Sequence, residues 1–218
     1  MESTKIYPDS GVELTKFTAR YYDQMMNFFS FGQYRYFIRK AIRDIGIKAG
    51  DSILDMGCGT GRNAGLMLEH LGKDGKITGI DLSPIMQSQF EKRFAGDGRA
   101  HFRQQRIDIA FDLHESFDLV FISFVLHGFP QEVRESVIEN AKRHLKPGGY
   151  FVILDYAEFK LNEMPPSHRF IFKKMECPYA FDFIEKDWKS ILETRQLFSE
   201  TVGLYFFGYV RLLKAQLK

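Results

Sequence analysis

From Asp51 onward, short apolar runs and helix-patterned segments take turns along the chain, and no other feature limits the possible fold as much. Ser52–Met56 is an apolar run that ends in glycines, and Arg62 to Leu71 has a helical pattern stopped by Gly72. Lys76–Ile80 reads as a second strand ending at Asp81. Ser83-Pro84 then opens a helix to about Phe94, with serine as N-cap and proline in the first turn. After the turn at Asp97-Gly98 come a third strand, Ala100 to Ile107, and a buried fourth, Phe117 to Phe124. A helix from Gln131 to Leu145 is ended by Pro147-Gly148-Gly149 and followed by a fifth strand, Tyr150 to Leu154. Strands separated by helices of this length pair in parallel through right-handed crossovers. Phe198–Phe207 and Tyr209–Gln216, around Gly208, read instead as a terminal antiparallel hairpin.

The flanks differ. Lys5–Gly11 reads as an irregular arm and Phe17–Phe29 as helix-compatible. Tyr34–Ile45 forms an amphipathic helix, with Phe37, Ile38, Ala41, Ile42 and Ile45 on one face. Asn162–Phe183 holds Pro165-Pro166, Cys177-Pro178 and many aromatics, and is too apolar to be a solvated linker. It reads as an insertion or lid, followed by a helix at Glu185–Arg195.

The 218 residues suit one domain with one substantial core. A net charge of +2, with no basic tract, gives no footprint for nucleic acid. Two distant cysteines and six scattered histidines make no metal-ligand spacing, which implies a reduced, cytoplasmic setting and no metal. The longest apolar run, near Leu119–Leu126, falls far short of the roughly 20 residues that cross a bilayer, so membrane contact is at most peripheral. The 22 phenylalanines exceed what a small core needs, and line either an aromatic pocket or a phenylalanine-rich core.

Ligands of open parallel sheets sit at the strands' C-terminal ends, where the strand order reverses. The first strand here ends in Gly57-Cys58-Gly59-Thr60-Gly61. Glycines let the backbone approach a ligand closely, and the following helix points its N-terminal N–H groups there. Asp81 ends the second strand 20 residues past Gly61, where a carboxylate accepts hydrogen bonds from both ribose hydroxyls. Dinucleotide sites use G-x-G-x-x-G around a pyrophosphate. This loop has G-x-G-x-G preceded by Asp55, and a carboxylate there suits a sulfonium and an ammonium better than a pyrophosphate.

Asp55-Met56-Gly57-Cys58-Gly59-Thr60-Gly61 resembles motif I of the class I S-adenosyl-L-methionine (SAM) dependent methyltransferases. Three further matches follow in order. Asp81, with Leu82 beside it, resembles the ribose-binding acid. Ile107-Asp108-Ile109 resembles the third-strand motif whose aspartate contacts the adenine amino group and whose next residue packs on the ring. Leu145-Lys146-Pro147-Gly148-Gly149 resembles the turn before the fifth strand. The resemblance implies an α/β fold: a Rossmann-like, seven-stranded, mostly parallel sheet with a C-terminal antiparallel hairpin and helices on both faces. It implies SAM as cofactor, contacted by Asp55, Gly57, Cys58, Gly59, Gly61, Asp81, Leu82, Asp108, Ile109 and Ser123. Cys58 reads as a small spacer and not a nucleophile, because no basic neighbour lowers its pKa.

Tyr22-Asp23, Met25, Ser30-Phe31-Gly32 and Arg35 are similar to the signature before motif I in UbiE-type methyltransferases, which methylate ring carbons of quinone precursors. That resemblance places residues 1–33 as a cap on the cofactor, with Tyr22 over the sulfonium, where an aromatic face is worth roughly 0.5–2 kcal/mol. Residues 160–184 are the lid-like insertion of the same single domain. After the fourth strand the sequence departs from that family: Ser123-Phe124-Val125-Leu126-His127-Gly128-Phe129-Pro130 stands where a glycine, an arginine and an asparagine are usual.

Methyl transfer from a sulfonium is an in-line displacement of a neutral leaving group, so positioning supplies most of the catalysis. A base is needed where the acceptor must lose a proton, and a histidine suits that near neutral pH. His127, just past the fourth strand, is the first candidate, and Tyr156 the second, with Glu158 near it. His168 and Arg169 either meet a polar head group or lie on the surface. Phe170, Phe172, Tyr179, Phe181 and Phe183 line a pocket or anchor the lid. The expected partner is an apolar or amphipathic small-molecule acceptor, such as a quinone precursor or phospholipid, used by a monomer or homodimer. The alternatives are a nicotinamide-dependent oxidoreductase, disfavoured by the glycine spacing and by Arg62 in place of a glycine, and a SAM-binding module without catalysis.

Overall fold

The structure is a computed structural model that describes residues 6, 7, 10 and 33–218. Helix α1 (Gln33–Asp44) precedes β1 (Ser52–Met56), α2 (Arg62–Leu68), β2 (Lys76–Asp81), α3 (Pro84–Arg93), β3 (Ala100–Gln104), β4 (Phe117–Ser123), α4 (Gln131–Arg143) and β5 (Leu145–Tyr156). After β5 come α5 (Pro166–Met175), α6 (Pro178–Phe183), α7 (Trp188–Glu193), β6 (Leu197–Tyr205) and β7 (Val210–Leu217). The expected alternation is present, with shorter third strand and seventh helix than the pattern suggested.

The seven strands lie in the order β3-β2-β1-β4-β5-β7-β6. β1 to β5 pair in parallel, and β7 runs antiparallel between β5 and β6. The order reverses between β1 and β4, so the C-terminal ends of those two strands form the crevice where a ligand belongs. β1 is buried at every position, as a strand covered on both faces must be.

Successive residues feed opposite faces. Leu54, Val120, Ile153 and Leu213 meet α4, α6 and α7 through Val137, Ile138, Phe183, Trp188 and Leu192. Ile53, Phe121, Leu154 and Leu212 meet α1, α2 and α3 through Phe37, Ile38, Ile42, Met67 and Phe90. Much of the phenylalanine excess is therefore core.

β5 starts earlier than expected. Leu145 already pairs with Phe117, and pairing resumes at Leu119 with Tyr150, so Lys146–Gly149 bulge out of the ladder. Gly149 permits this: a Cβ there would lie 2.9–3.1 Å from the carbonyls of Lys146, Asp118 and Phe117. The segment between β5 and α7 forms two helices, each with a proline in its first turn.

Candidate active site

The loop after β1 holds Gly57, Gly59 and Gly61 at φ +74°, +54° and +75°, all left-handed. Their surroundings differ. A Cβ at Gly61 would meet the rings of Phe90 and Phe94 at 2.6 Å, whereas one at Gly59 would meet nothing within 4 Å. Gly61 thus lets the helix pack, and Gly59 faces open space. Cys58 is buried beside Gly79, where a Cβ would come within 2.8 Å of its sulfur. Burial, with Asp55 and Asp81 nearby, holds its thiol well above the ordinary range, so it is a spacer and not a thiolate.

Asp55 is buried, and its Oδ2 has no hydrogen-bond partner among the described residues. Burial and the charge of Asp81 push its carboxyl up to about 8. Asp81 accepts the Gly59 N–H at 3.0 Å on Oδ2 and the Ser83 N–H at 2.9 Å on Oδ1. Burial raises its pKa despite these bonds. Each oxygen keeps a further acceptor site. Leu82 and Ile109, next to the two acids expected to bind ribose and adenine, are both exposed.

Asp108 is held at both oxygens by Arg106, at 3.1 and 2.5 Å, and accepts the Tyr7 hydroxyl at 2.7 Å. Burial works against ionisation there, but these bonds win and keep the carboxyl below its usual range. Tyr7 also stacks edge-on to Phe129 at 5.5 Å, and the Ser10 hydroxyl donates to the Gly128 carbonyl at 2.7 Å. Tyr7 and Ser10 therefore lie at the same end of the sheet. Ser123, half-buried, closes β4 opposite Leu154. Tyr22 lies outside the described residues.

These features fit SAM. An unsatisfied buried carboxyl, a glycine opening onto free space, a ribose-level acid and two exposed apolar side chains match a ligand with a cationic amino-acid end and a flat base.

His127 sits in a short 3₁₀ turn, Leu126–Gly128, after Phe124 has turned the chain through a left-handed φ of +51°. Its Nδ1 lies 2.7 Å from Asp155 Oδ1, and its backbone N–H donates to Asp155 Oδ2 at 3.2 Å. The carboxylate accepts, so Nδ1 carries the proton and Nε2 faces away, 3.6 Å from Glu176 Oε2. Burial alone would lower the imidazole pKa, but the charge and hydrogen bond of Asp155, with Glu176, outweigh it and raise the pKa. Tyr156 donates to Glu176 Oε1 at 2.5 Å, and its ring stands edge-on to His127 at 5.1 Å. Phe183 and Phe172 complete an aromatic surround, at 6.3 Å from His127 and 5.2 Å from Tyr156.

The two catalytic candidates are thus brought together. Three partners carried no mark in the sequence: Asp155, just past the expected fifth strand, Glu176, inside the expected lid, and Arg134, inside the expected Gln131–Leu145 helix. Arg134 is fully buried. It donates to the Leu126, His127 and Tyr179 carbonyls at 3.2, 3.2 and 2.6 Å, and to Asp182 at 2.7 Å. It clamps the histidine turn to α6. Glu158 does not join the cluster: it binds Arg211 and accepts the Trp188 N–H. His168 lies apart, against Phe207 and Tyr209.

A family profile described as a methyltransferase domain matches residues 53–149. Demethylmenaquinone methyltransferase of Lactobacillus johnsonii is 31% identical over 162 residues, covering 72% of this chain and 66% of that protein. The enzyme of the same name from Bacillus velezensis is 30% identical over 173 residues, covering 77% and 72%. The chain thus spans about two thirds of the length of these relatives. A solved structure of a putative O-methyltransferase from Nostoc punctiforme superposes with a TM-score of 0.72, over 99% of this chain and 65% of that one. At 15% identity, that likeness concerns the fold.

Proposed function

Because the chain belongs to the UbiE-type family of class I SAM-dependent methyltransferases, we propose that it methylates an apolar, ring-bearing acceptor with an ionisable hydroxyl, of the demethylated quinol kind. The observation that carries this reading is the buried His127, backed by Asp155 and enclosed by aromatic rings. Such aromatic surroundings suit a greasy ring and offer it one proton acceptor. The nicotinamide alternative finds no support in the matched family.

SAM supplies an activated methyl group on sulfur. In this proposal Asp55, Gly57, Gly59, Gly61 and Asp81 hold its amino-acid and ribose parts, Leu82 and Ile109 flank its base, and Asp108 lies at the adenine edge. Ser123 lies at the mouth between cofactor and acceptor, and Tyr22, in the cap of residues 1–33, covers the sulfonium. Residues 160–184 act as the lid that brings Phe172 and Glu176 to the acceptor.

His127 Nε2 takes the acceptor hydroxyl proton, which makes the ring carbon beside it nucleophilic. Asp155 fixes the tautomer and stabilises the imidazolium, as a buried carboxylate behind a catalytic histidine does. Glu176 adds a second negative charge on the Nε2 side, and Tyr156 fixes the orientation of Glu176. The two unpaired cysteines fit a reduced cytoplasmic setting.

The test is methyl transfer from labelled SAM to a short-chain demethylated quinol, with product position read by mass spectrometry. Ring methylation that is lost in His127→Gln supports the reading. Turnover of non-phenolic acceptors alone, or full activity in His127→Gln, overturns it.

A further inference from the structure

Helix α5 carries more apolar surface than its packing uses. Phe172 turns inward against Tyr156, Phe159 and Phe181, at 5.2–5.6 Å between ring centroids. Its neighbours Phe170 and Ile171 stay 67% and 54% exposed. A surface helix normally buries one stripe and wets the other. Here the apolar run Phe170-Ile171-Phe172 spreads over both.

The turn between β6 and β7 stands beside this helix. His168 of α5 touches the Phe207 ring at 5.5 Å and Tyr209 at 5.8 Å. Residues 202–209 contain no charged side chain. Leu204 is 60% exposed and Phe207 89% exposed. Phe206 and Phe207 both sit in the left-handed region, at φ +49° and +58°. Phe206 has a reason in the core, since its ring packs on Phe37 at 4.7 Å. Phe207 has none: the strained backbone holds a large ring in water.

Arg169, Lys173 and Lys174 border this apolar surface, and no acidic residue falls within 165–175. Neither lysine makes an ion pair among the described residues. We propose that the α5 face and the β6–β7 turn form a docking surface for an anionic phospholipid bilayer. The aromatic and aliphatic side chains enter the headgroup–acyl boundary, and the cations meet lipid phosphates. A second copy of the chain is a poorer occupant, because a two-fold contact through the α5 face sets Arg169, Lys173 and Lys174 against their own copies. The docking does not depend on the acceptor proposed above. Its consequence does: Glu176 directly follows α5, so an amphipathic acceptor lying in the bilayer approaches His127 from the docked side.

The test is co-sedimentation of the full chain with phosphatidylcholine vesicles and with vesicles enriched in phosphatidylglycerol. The wild-type chain is expected to pellet with the anionic vesicles and to be released by salt. Phe207→Asp lowers partition by about tenfold or more, from the burial of one aromatic side chain, and an aspartate accepts a left-handed φ readily. Lys173→Gln and Lys174→Gln each weaken it about fivefold, as loss of one interfacial cation does. Phe207→Asp, outside the lid, leaves transfer to a soluble acceptor in vesicle-free buffer unchanged, so failure to dock and failure of the acceptor reading are told apart. Three results overturn the proposal: no partition into anionic vesicles, equal partition of Phe207→Asp, or a wild-type dimer that ignores vesicles and becomes a monomer in Phe207→Asp.

Discussion

The imidazole of His127 and the carboxylate of Asp155 meet at 2.7 Å, although one sits in a turn after β4 and the other near the end of β5. β4 and β5 are adjacent in the sheet, so strand register brings the turn that carries His127 to Asp155, and Arg134 holds that turn in place. A base built this way keeps its tautomer. With the imidazole pKa raised above 6.5, activity on a phenolic acceptor is expected to rise with pH through that higher value, as the neutral form becomes available. Asp155→Asn removes the charge that outweighs burial. It should move the rising limb below the ordinary histidine value and lower kcat by about 10²–10⁴-fold. A pH–rate profile of both proteins checks this, and an unmoved limb in the variant contradicts it.

In the proposed site, Asp55 makes cofactor affinity depend on pH. Its carboxyl titrates at about 8 in the ligand-free chain, against 3.8 ordinarily. The folded chain binds this proton more tightly than the unfolded one. The contribution to stability is therefore complete below about 3.8 and is lost as pH rises through about 8. A bound cation favours the ionised form, so SAM affinity should climb by up to about tenfold per pH unit between about pH 6 and 8, with a proton released on binding. Isothermal titration in buffers of different ionisation enthalpy reads that proton. Asp55→Asn should bind more weakly and without the slope.

Gly59 and Gly61 separate cofactor binding from folding. Alanine at either position adopts an unfavourable left-handed φ, which costs roughly 1–2 kcal/mol. At Gly61 the Cβ also strikes Phe90 and Phe94, whereas at Gly59 it enters open space. Gly61→Ala is expected to lower thermal stability markedly. Gly59→Ala should lower it by the backbone cost alone, less than Gly61→Ala, yet weaken SAM binding by about tenfold or more, because in the proposed site the added methyl fills the approach to the cofactor. Thermal melts with and without SAM resolve the two.

Arg134 ties the histidine turn to the segment that follows β5. Replacing it with methionine leaves three carbonyls and Asp182 without their donor, a loss of about 3–5 kcal/mol. Denaturant unfolding measures this. If the clamp positions His127, activity under conditions where the variant is still folded should fall further than the folded fraction alone explains.

The sheet was legible because its strands are buried on both faces and punctuated by glycine, proline and aspartate. The glycine loop with Asp81 was legible because backbone conformation and spacing carry that signal. The environment of His127 was only half legible. Its position after β4 marked it, but Asp155 is one carboxylate inside an apolar strand, and its role appears only when β4 and β5 are aligned. Arg134 reads as an exposed residue of an amphipathic helix, and nothing local reveals the carbonyls that surround it. The two helices at Pro166 and Pro178 did carry a signal, a proline in each first turn, which the density of aromatics obscured. Glu176 acts through contacts 20 or more residues distant in sequence, with Tyr156 and His127. No periodicity encodes that.

The insertion of β7 between β5 and β6 has a consequence for biosynthesis. Residues 210–217 supply the partner for one whole edge of β5 and the sheet attachment of β6. Until they leave the ribosome, an apolar strand edge stays unpaired while the rest of the parallel sheet is already made, the kind of edge that recruits foreign strands. At about 5–20 residues per second, synthesis from the end of β5 to β7 exposes that edge for several seconds. Chains arrested in this interval should depend on chaperones far more than finished ones.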